Sequence, residues 1–517
     1  MPISWLYRPT WLGSTDLRSA GLFRITFGLA TLGSIVDLAP ILRAAFSDDG
    51  FWPRWTAILS DPDRFSLMDV SGPTWVTYGY WSLAIGACVC FIVGWHSRVA
   101  ALATFVLWSG LVERNPGMFD ASDTVIRVLF FWSIFLPVGR WYSLDAALAR
   151  AKGRPLPREG SALPLRLIQL QFAWIYFATF LFKIPGSTWQ DGTAVHVALG
   201  LEHLYTRPLG SLMRHVPWIT SAATYLTLLV EVAFLPLVFL PIGQPWAKAL
   251  ALVSGFALHF GIWVTMCIGG FSWVMIAAYP LFFDPRWVDW AVAHAMSPVS
   301  RLAQRWPGSW PKDVWLRAFP SRAVGDGAGD RRPDSFPLPG PGPLLGAARG
   351  AGQAILVALL VACVWSAAPL PERARIPARL AKIVRTLELW QAWSMFAPDP
   401  QWVDTELLGD GKLLDGTAVD VLRGDEPPGP LPPSKHGFLA SRWSSVTEQV
   451  SQGDPTLLTE FANFLCREWN RPDRPRGRPV LATFNLLRID RPVPRQGFDL
   501  GPPNKVHLWQ QFCFTAK

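Results

Sequence analysis

Charge is what this chain has least of. Only 16% of its 517 residues are Asp, Glu, Lys or Arg, where a soluble domain carries roughly a quarter. That balance excludes a disordered, collagenous or coiled-coil chain and argues against a wholly soluble one. Cysteine is scarce as well. Six residues cannot staple a disulfide scaffold, and none lies in a C-x-x-C pair. Tyr is rare at 8 against 28 Trp, an imbalance suited to membrane–water interfaces, where amphipathic indole rings settle. No glycine-rich phosphate loop, nucleophile elbow or H-E-x-x-H helix occurs, so phosphate-loop chemistry, serine hydrolysis and zinc proteolysis lack their motifs. The net charge of +9 is scattered over loops and forms no stripe for nucleic acid. Anionic membrane lipids are the expected partner.

What is present is a series of apolar runs. A membrane span needs about 20 mostly apolar residues, and Gly21–Leu42, Trp75–Gly94, Leu163–Phe182, Ser221–Ile242 and Ala247–Met266 meet that test. Val99–Val112, Ile126–Val138 and Phe271–Phe283 are shorter, and span only if Arg98 and Arg127 snorkel or the segments are buried among neighbours. Gln353–Ala368 supplies a last span, giving an expected count of nine. The first run is interrupted by Arg24 and Asp37 and has no cleavage site after it, so it reads as a retained span. Arg-rich loops at Arg140–Arg158 and Pro285–Ala351 place those loops in the cytoplasm. The N-terminus is then cytoplasmic and the C-terminal domain extracytoplasmic. Arg373, Arg375, Arg379, Lys382 and Arg385 crowd the exit of the last span against this orientation.

The expected fold is therefore mainly α: a polytopic helical membrane bundle followed by a small α+β domain. Residues 291–352 form a polar linker whose Gly325–Gly352 segment, rich in Gly, Pro and Asp, cannot bury enough surface to order itself. After the last span at residues 353–368, Thr386–Pro398 (TLELWQAWSMFAP) reads as an amphipathic aromatic helix at headgroup level. Within residues 386–517, Thr405–Leu408, Ala418–Leu422 and Val480–Ile489 read as strands, and Thr456–Trp469 as a helix. Asp410–Gly411 and Asp415–Gly416 mark turns. Cys466 and Cys513 lie outside the apolar runs and can bridge in an oxidising compartment.

Ionisable residues inside apolar runs are costly and carry the functional hypotheses. Arg24 and Asp37 are too far apart on one helix to pair, so each snorkels or meets another span. Asp123 and Arg127 are four apart, as a local ion pair requires. Glu231, in LLVEVAFLPL, has no local partner and reads as a protonated, hydrogen-bonded carboxyl or a proton relay. His259, in GFALHFGIWV, reads as a satisfied interior histidine. Lys183 ends the run IQLQFAWIYFATFLFK ahead of a Pro-Gly turn and Trp189. Either it snorkels to the interface or it is a desolvated amine able to act as a general base. His196 and His203, seven apart without a third ligand at metal spacing, read as surface histidines, and no metal is expected.

Four segments in order resemble a known family. LFRITFGLATLGSIVDL (Leu22–Leu38), RVLFFWSIFLPVGRWYSLDAAL (Arg127–Leu148), WIYFATFLFKIPGSTWQDGTAV (Trp174–Val195) and LHFGIWVTMCIGGFSWVMIAAYPLFF (Leu258–Phe283) are similar to the horizontally transferred transmembrane (HTTM) domain. That domain is the membrane part of vitamin K-dependent gamma-carboxylase and of many bacterial proteins, and the resemblance covers about residues 16–290. It implies that Lys183 falls on the base that deprotonates vitamin K hydroquinone, that Trp189 lines the quinone pocket, and that His259 falls on a family histidine. The implied cofactor is a reduced, vitamin K-like quinone, at a site on the external side of a bacterial inner membrane. Two departures stand out. Ser122 or Asp123 occupies the place of a carboxylase histidine, and the tail is much smaller than the carboxylase substrate-recognition region, with WQAWSMFAP (Trp390–Pro398) typical of bacterial members. The expectation is a quinone-linked carboxylase- or oxidoreductase-like enzyme with Lys183 as base and Glu231 and His259 shaping the pocket. The alternative is a non-catalytic scaffold or a lipid- or quinone-binding protein displaying its C-terminal domain. Transport ranks behind both, since no inverted repeat is evident.

Overall fold

The computed structural model describes residues 11, 13–62, 64–154, 157, 159–241, 243–292, 294, 343–423, 441–471, 479–493 and 502–513. Five helical segments among them are long and apolar enough to cross a membrane: Arg18–Phe46, Thr74–Val93, Ala162–Lys183, Pro217–Phe239 and Trp246–Thr265. Shorter apolar helices cover Phe271–Phe282 and Gly350–Ser366.

Eight helices make the bundle: α1 (Arg18–Asp37), α2 (Thr74–Val93), α3 (Ser97–Arg114), α4 (Ala121–Phe135), α5 (Ala162–Lys183), α6 (Pro217–Phe239), α7 (Trp246–Thr265) and α8 (Phe271–Ala278). Each packs on the next in sequence, α8 returns to α1, and α4 meets α8 across the middle. The bundle is thus a closed ring with few crossing connections. Burial distinguishes the members: 67% of the most apolar window of α5 is buried, against 22% for α2, α6 and α7. The last three turn most of their apolar side chains outward, as helices in contact with lipid do, while α5 runs through the protein interior. Phe172, Ala173 and Ala178 of α5 are fully buried, and the polar Gln169, Gln171 and Lys183 are buried too. Buried polar groups require partners, and those of α5 organise the site described below.

α9 (Pro343–Ser366) packs outside α5. It begins before the Gln353 start expected from hydropathy, so the end of the Gly/Pro-rich linker is helical. Pro343 sits in the first turn, where its missing N–H costs no helical hydrogen bond, and the small residues after it accept a helical backbone. The remainder of the Gly325–Gly352 call lies outside the described residues.

The expected amphipathic helix over Thr386–Pro398 does not form. α10 (Ala378–Thr386) stops where that helix should begin, and the next residues run as an irregular strap across the outer face of the bundle. Tertiary contacts override the helical spacing. Leu389 and Trp393 are fully buried, Arg127 Nη2 donates to the Trp390 carbonyl at 2.9 Å, and Gln171 Nε2 donates to Gln391 Oε1 at 2.8 Å.

The C-terminal domain is a four-stranded antiparallel sheet in the order β4-β3-β5-β6. Counting from the small β1–β2 ladder (Ser14–Asp16 with Glu159–Ser161), its strands are β3 (Val403–Leu413), β4 (Ala418–Asp420), β5 (Leu481–Pro492) and β6 (Asn504–Phe512). α11 (Ser441–Ser451) packs against β3, and α12 (Pro455–Trp469) against β5 and β6. Of the two expected turns, Asp415–Gly416 is one, with Gly416 at φ +87°. Asp410–Gly411 instead pairs with Asn485 and Phe484 inside the ladder. Cys466 and Cys513 are bonded, tying α12 to the end of β6.

This domain is clasped to the bundle. Arg442 of α11 donates to both Asp123 oxygens at 2.7 and 3.0 Å and to the Met118 carbonyl at 2.8 Å, with Asp37 at 3.6 Å. The expected Asp123–Arg127 pair is therefore replaced. Arg127 reaches Glu113 at 3.1 Å and Glu388 at 3.0 Å instead. A buried arginine offered several carboxylates from other elements satisfies more donors than one helical neighbour could supply. Arg24 donates to the Phe91, Ile92 and Tyr142 carbonyls, so it meets another span rather than snorkelling.

Candidate active site

Lys183 ends α5 in the interior, 5% exposed, so the snorkelling alternative fails. Its Nζ donates to Glu231 Oε1 of α6 and lies 4.6 Å from the centroid of the Trp189 ring, within cation–π range. Glu231, which has no partner on its own helix, thus finds one on the neighbouring helix. Its second oxygen, Oε2, makes no hydrogen bond among the described residues. Trp189 belongs to a one-turn helix, Ser187–Gln190, and its indole N–H donates to the Phe396 carbonyl of the strap at 2.9 Å. Asp399 caps the same turn, accepting from Thr188 N and Oγ1 at 2.8 and 2.5 Å. Burial alone would raise the Asp399 carboxyl, but the hydrogen bonds from Thr188 and Ser187 outweigh it and hold the group below the usual carboxylate range. The strap approaches closely enough that a Cβ on Gly186 would lie 1.7 Å from the Pro398 carbonyl oxygen. Lys183 is therefore roofed by Trp189, and Trp189 is fixed by the strap.

His259 of α7 is buried as well, at 2% exposure. Its Nε2 lies 2.7 Å from the Tyr176 hydroxyl, which in turn lies 2.8 Å from the Tyr279 hydroxyl. His259 Nδ1 has no hydrogen-bond partner among the described residues. Tyr176 stacks on Phe234 of α6 with centroids 4.1 Å apart. Gly255, one turn before His259, makes room for this cluster, since a Cβ there would sit 2.5 Å from the Tyr279 hydroxyl oxygen. The structure thus unites Lys183, Glu231 and Trp189 in one contact group. It sets His259, on α7, in a second group with Tyr176 of α5, and Thr179 lies between the two groups, its hydroxyl donating to the Tyr176 carbonyl at 2.7 Å and approaching the Glu231 carboxylate.

Tyr176 and Tyr279 were missed from sequence. The available signal was spacing: Tyr176 precedes Lys183 by seven residues, two helical turns, and so shares its face. His196 and His203 are not surface residues. His196 is buried, and His203 Nδ1 pairs with Asp404 of β3 at 2.6 Å. Among the described residues no group of three His, Cys, Asp or Glu is placed to hold a metal ion.

Two cavities adjoin these groups. An apolar groove of about 880 Å³ opens between α1, α7 and α8, with Tyr279 in its wall and Ser34 and Asp37 at one end. A second cavity, of about 680 Å³, lies between the bundle and the C-terminal domain. Its wall includes Phe271, whose ring packs edge-on to His259 at 5.4 Å, and Phe396, the acceptor for Trp189.

The HTTM domain matches residues 12–287, more than half of the chain. The protein belongs to the HTTM family. This match contains α1–α8 and every residue of the Lys183 and His259 groups. No curated protein matches the chain, and no solved structure does.

Proposed function

We propose that this HTTM protein is a membrane enzyme in which the Lys183 amine acts as a base on a lipid-soluble, quinone-class substrate. The observation that carries the reading is a buried amine held against a single carboxylate beneath an indole ring. An ion pair in apolar surroundings gains little for the fold, whereas a pair sharing its protons leaves a free-base amine whenever the proton rests on Glu231. A reduced quinone, when bound, would supply an acidic phenolic proton and two electrons. Two buried atoms that make no hydrogen bond among the described residues, Glu231 Oε2 and His259 Nδ1, fit the polar edge of such a molecule, and the Tyr279 groove fits its apolar tail. In this scheme Lys183 Nζ would receive the proton while Glu231 keeps the one taken from the amine, the resulting ammonium would face the substrate oxygen, and Trp189 would exclude water. His259, oriented by Tyr176, polarises the opposite edge.

The nine-span count belongs to the same proposal. The five long spans and two short apolar helices, with α3 and α4, make nine. An N-terminus inside a bacterial inner membrane then puts the C-terminal domain outside, where the Cys466–Cys513 bond suits an oxidising compartment. Lipid extraction of the purified chain tests the ligand. A quinone that copurifies with the wild type and is lost from Lys183→Ala supports the reading. A quinone absent from the wild type, or equally present in both, overturns it and leaves the scaffold alternative.

A further inference from the structure

The cavity between the bundle and the C-terminal domain has a chemistry of its own. Three carboxylates line it, Asp120, Asp399 and Glu448, and no Lys, Arg or His does so among the described residues. Two arginines lie behind the wall: Arg442 sits behind the Phe119 ring and is bound by Asp123, and Arg207 stacks over Trp263 and hydrogen-bonds the lining Cys267. Asp399 is occupied in capping. Glu448 accepts from the Tyr205 hydroxyl at 2.9 Å and from Gln401 at 3.2 Å, and Asp120 accepts from Ser122 through Oδ1. A carboxylate offers about four lone-pair sites, so both retain acceptor capacity. Beside them the Oε1 atom of the partly buried Gln449 is covered and makes no hydrogen bond among the described residues. The remaining walls are aromatic, with Tyr205 and Phe396 edge-to-face at 6.1 Å between centroids and Phe119 and Phe271 nearby.

We propose that this cavity binds an organic ammonium group, with Glu448 and Asp120 as its charge partners, Gln449 Oε1 as an acceptor, and the aromatic rings as a cage. Carboxylates with no cationic side chain beside them in the described lining, among aromatic rings, complement a cation that brings its own N–H groups. The same walls repel a carboxylate, so a glutamate side chain is a poor occupant. The ammonium belongs either to a lipid headgroup or to a free amine. The site does not depend on Lys183 acting as a base, although Phe271 and Phe396 make it the outer neighbour of that chamber.

The test uses the full-length protein in uncharged detergent micelles and three probes of similar shape: phenethylammonium, 2-phenylethanol and 3-phenylpropionate. Binding is read by saturation-transfer NMR. Phenethylammonium is expected to bind roughly tenfold more tightly than the alcohol, with no binding by the carboxylate. Glu448→Gln and Asp120→Asn should each weaken it by about fivefold or more, while Lys183→Ala leaves it unchanged. Competition by added phosphatidylethanolamine but not phosphatidylglycerol identifies a headgroup as the source, and its absence identifies a free amine. Binding of 3-phenylpropionate equal to that of phenethylammonium overturns the proposal. So does ammonium binding that neither neutralisation alters. The selectivity order in the wild type needs no variant to fold.

Discussion

The clasp between the two domains and the chamber beneath it are both built from buried opposite charges, yet they are satisfied to different degrees. Arg442 has two hydrogen bonds to Asp123 and one to the Met118 carbonyl, with Asp37 close by. Lys183 has one carboxylate oxygen and one aromatic face, and the second Glu231 oxygen makes no hydrogen bond among the described residues. A cation wrapped by several acceptors holds two elements in register. A cation with one acceptor, beside unfilled polar atoms, is ready for something else to arrive. On the proposed reading the difference separates a joint from a site, although both pairs are buried.

Breaking the joint should have the largest effect. Arg442→Ala leaves Asp123 buried and uncompensated, and should cost about 3–5 kcal/mol, seen as a lower Tm and faster proteolysis of the C-terminal domain. A loss well below this would make the clasp a surface-like contact. Gly186→Ala sharpens the contrast by pushing on the strap rather than the clasp. The new Cβ meets the Pro398 carbonyl, so the strap must move at about 1–3 kcal/mol, with faster hydrogen exchange over residues 387–399 and altered Trp189 fluorescence. Unchanged exchange there would show that the strap does not hold the roof of the chamber.

The smallest expected effect is on pH dependence. Burial alone would lower the His203 imidazole, but its bond to Asp404 and that carboxylate's charge outweigh burial and raise it above its ordinary value of 6.5. A raised folded-state value means the contribution is complete below the unfolded value and fades as pH rises through the folded one. Docking of β3 onto the His203 loop should therefore loosen as pH rises above the ordinary imidazole value, and His203→Gln should flatten that dependence. A melting profile equally steep in the variant would remove His203 from the interface.

Much of this was legible in the chain. The five long spans, α12, strand β5 and the Asp415–Gly416 turn follow from hydropathy, periodicity and turn chemistry, all of which are local. Lys183, Glu231 and His259 stood out because charge and polarity are rare in apolar runs, and Trp189 through the family resemblance. What the sequence hid was partnership across elements. Asp123 and Arg127 are spaced to pair with each other, yet Arg442 and Glu388, hundreds of residues away, offer better geometry. Thr386–Pro398 has helical spacing, but Leu389, Gln391 and Trp393 gain more by burial against the bundle than a short helix gains from its own hydrogen bonds. The Lys183–Glu231 contact crosses from α5 to α6, and no spacing rule on either helix points to it.

The most direct test of the central claim, that this pair is kept for a ligand and not for the fold, is the quinone content of the folded double variant Lys183→Met/Glu231→Leu. Replacing a buried ion pair by apolar side chains of similar volume is commonly neutral or stabilising by roughly 1–4 kcal/mol. The account predicts a double variant that folds with an unchanged or higher Tm and carries no quinone. A variant that retains the wild-type quinone content, or that fails to fold, would contradict it.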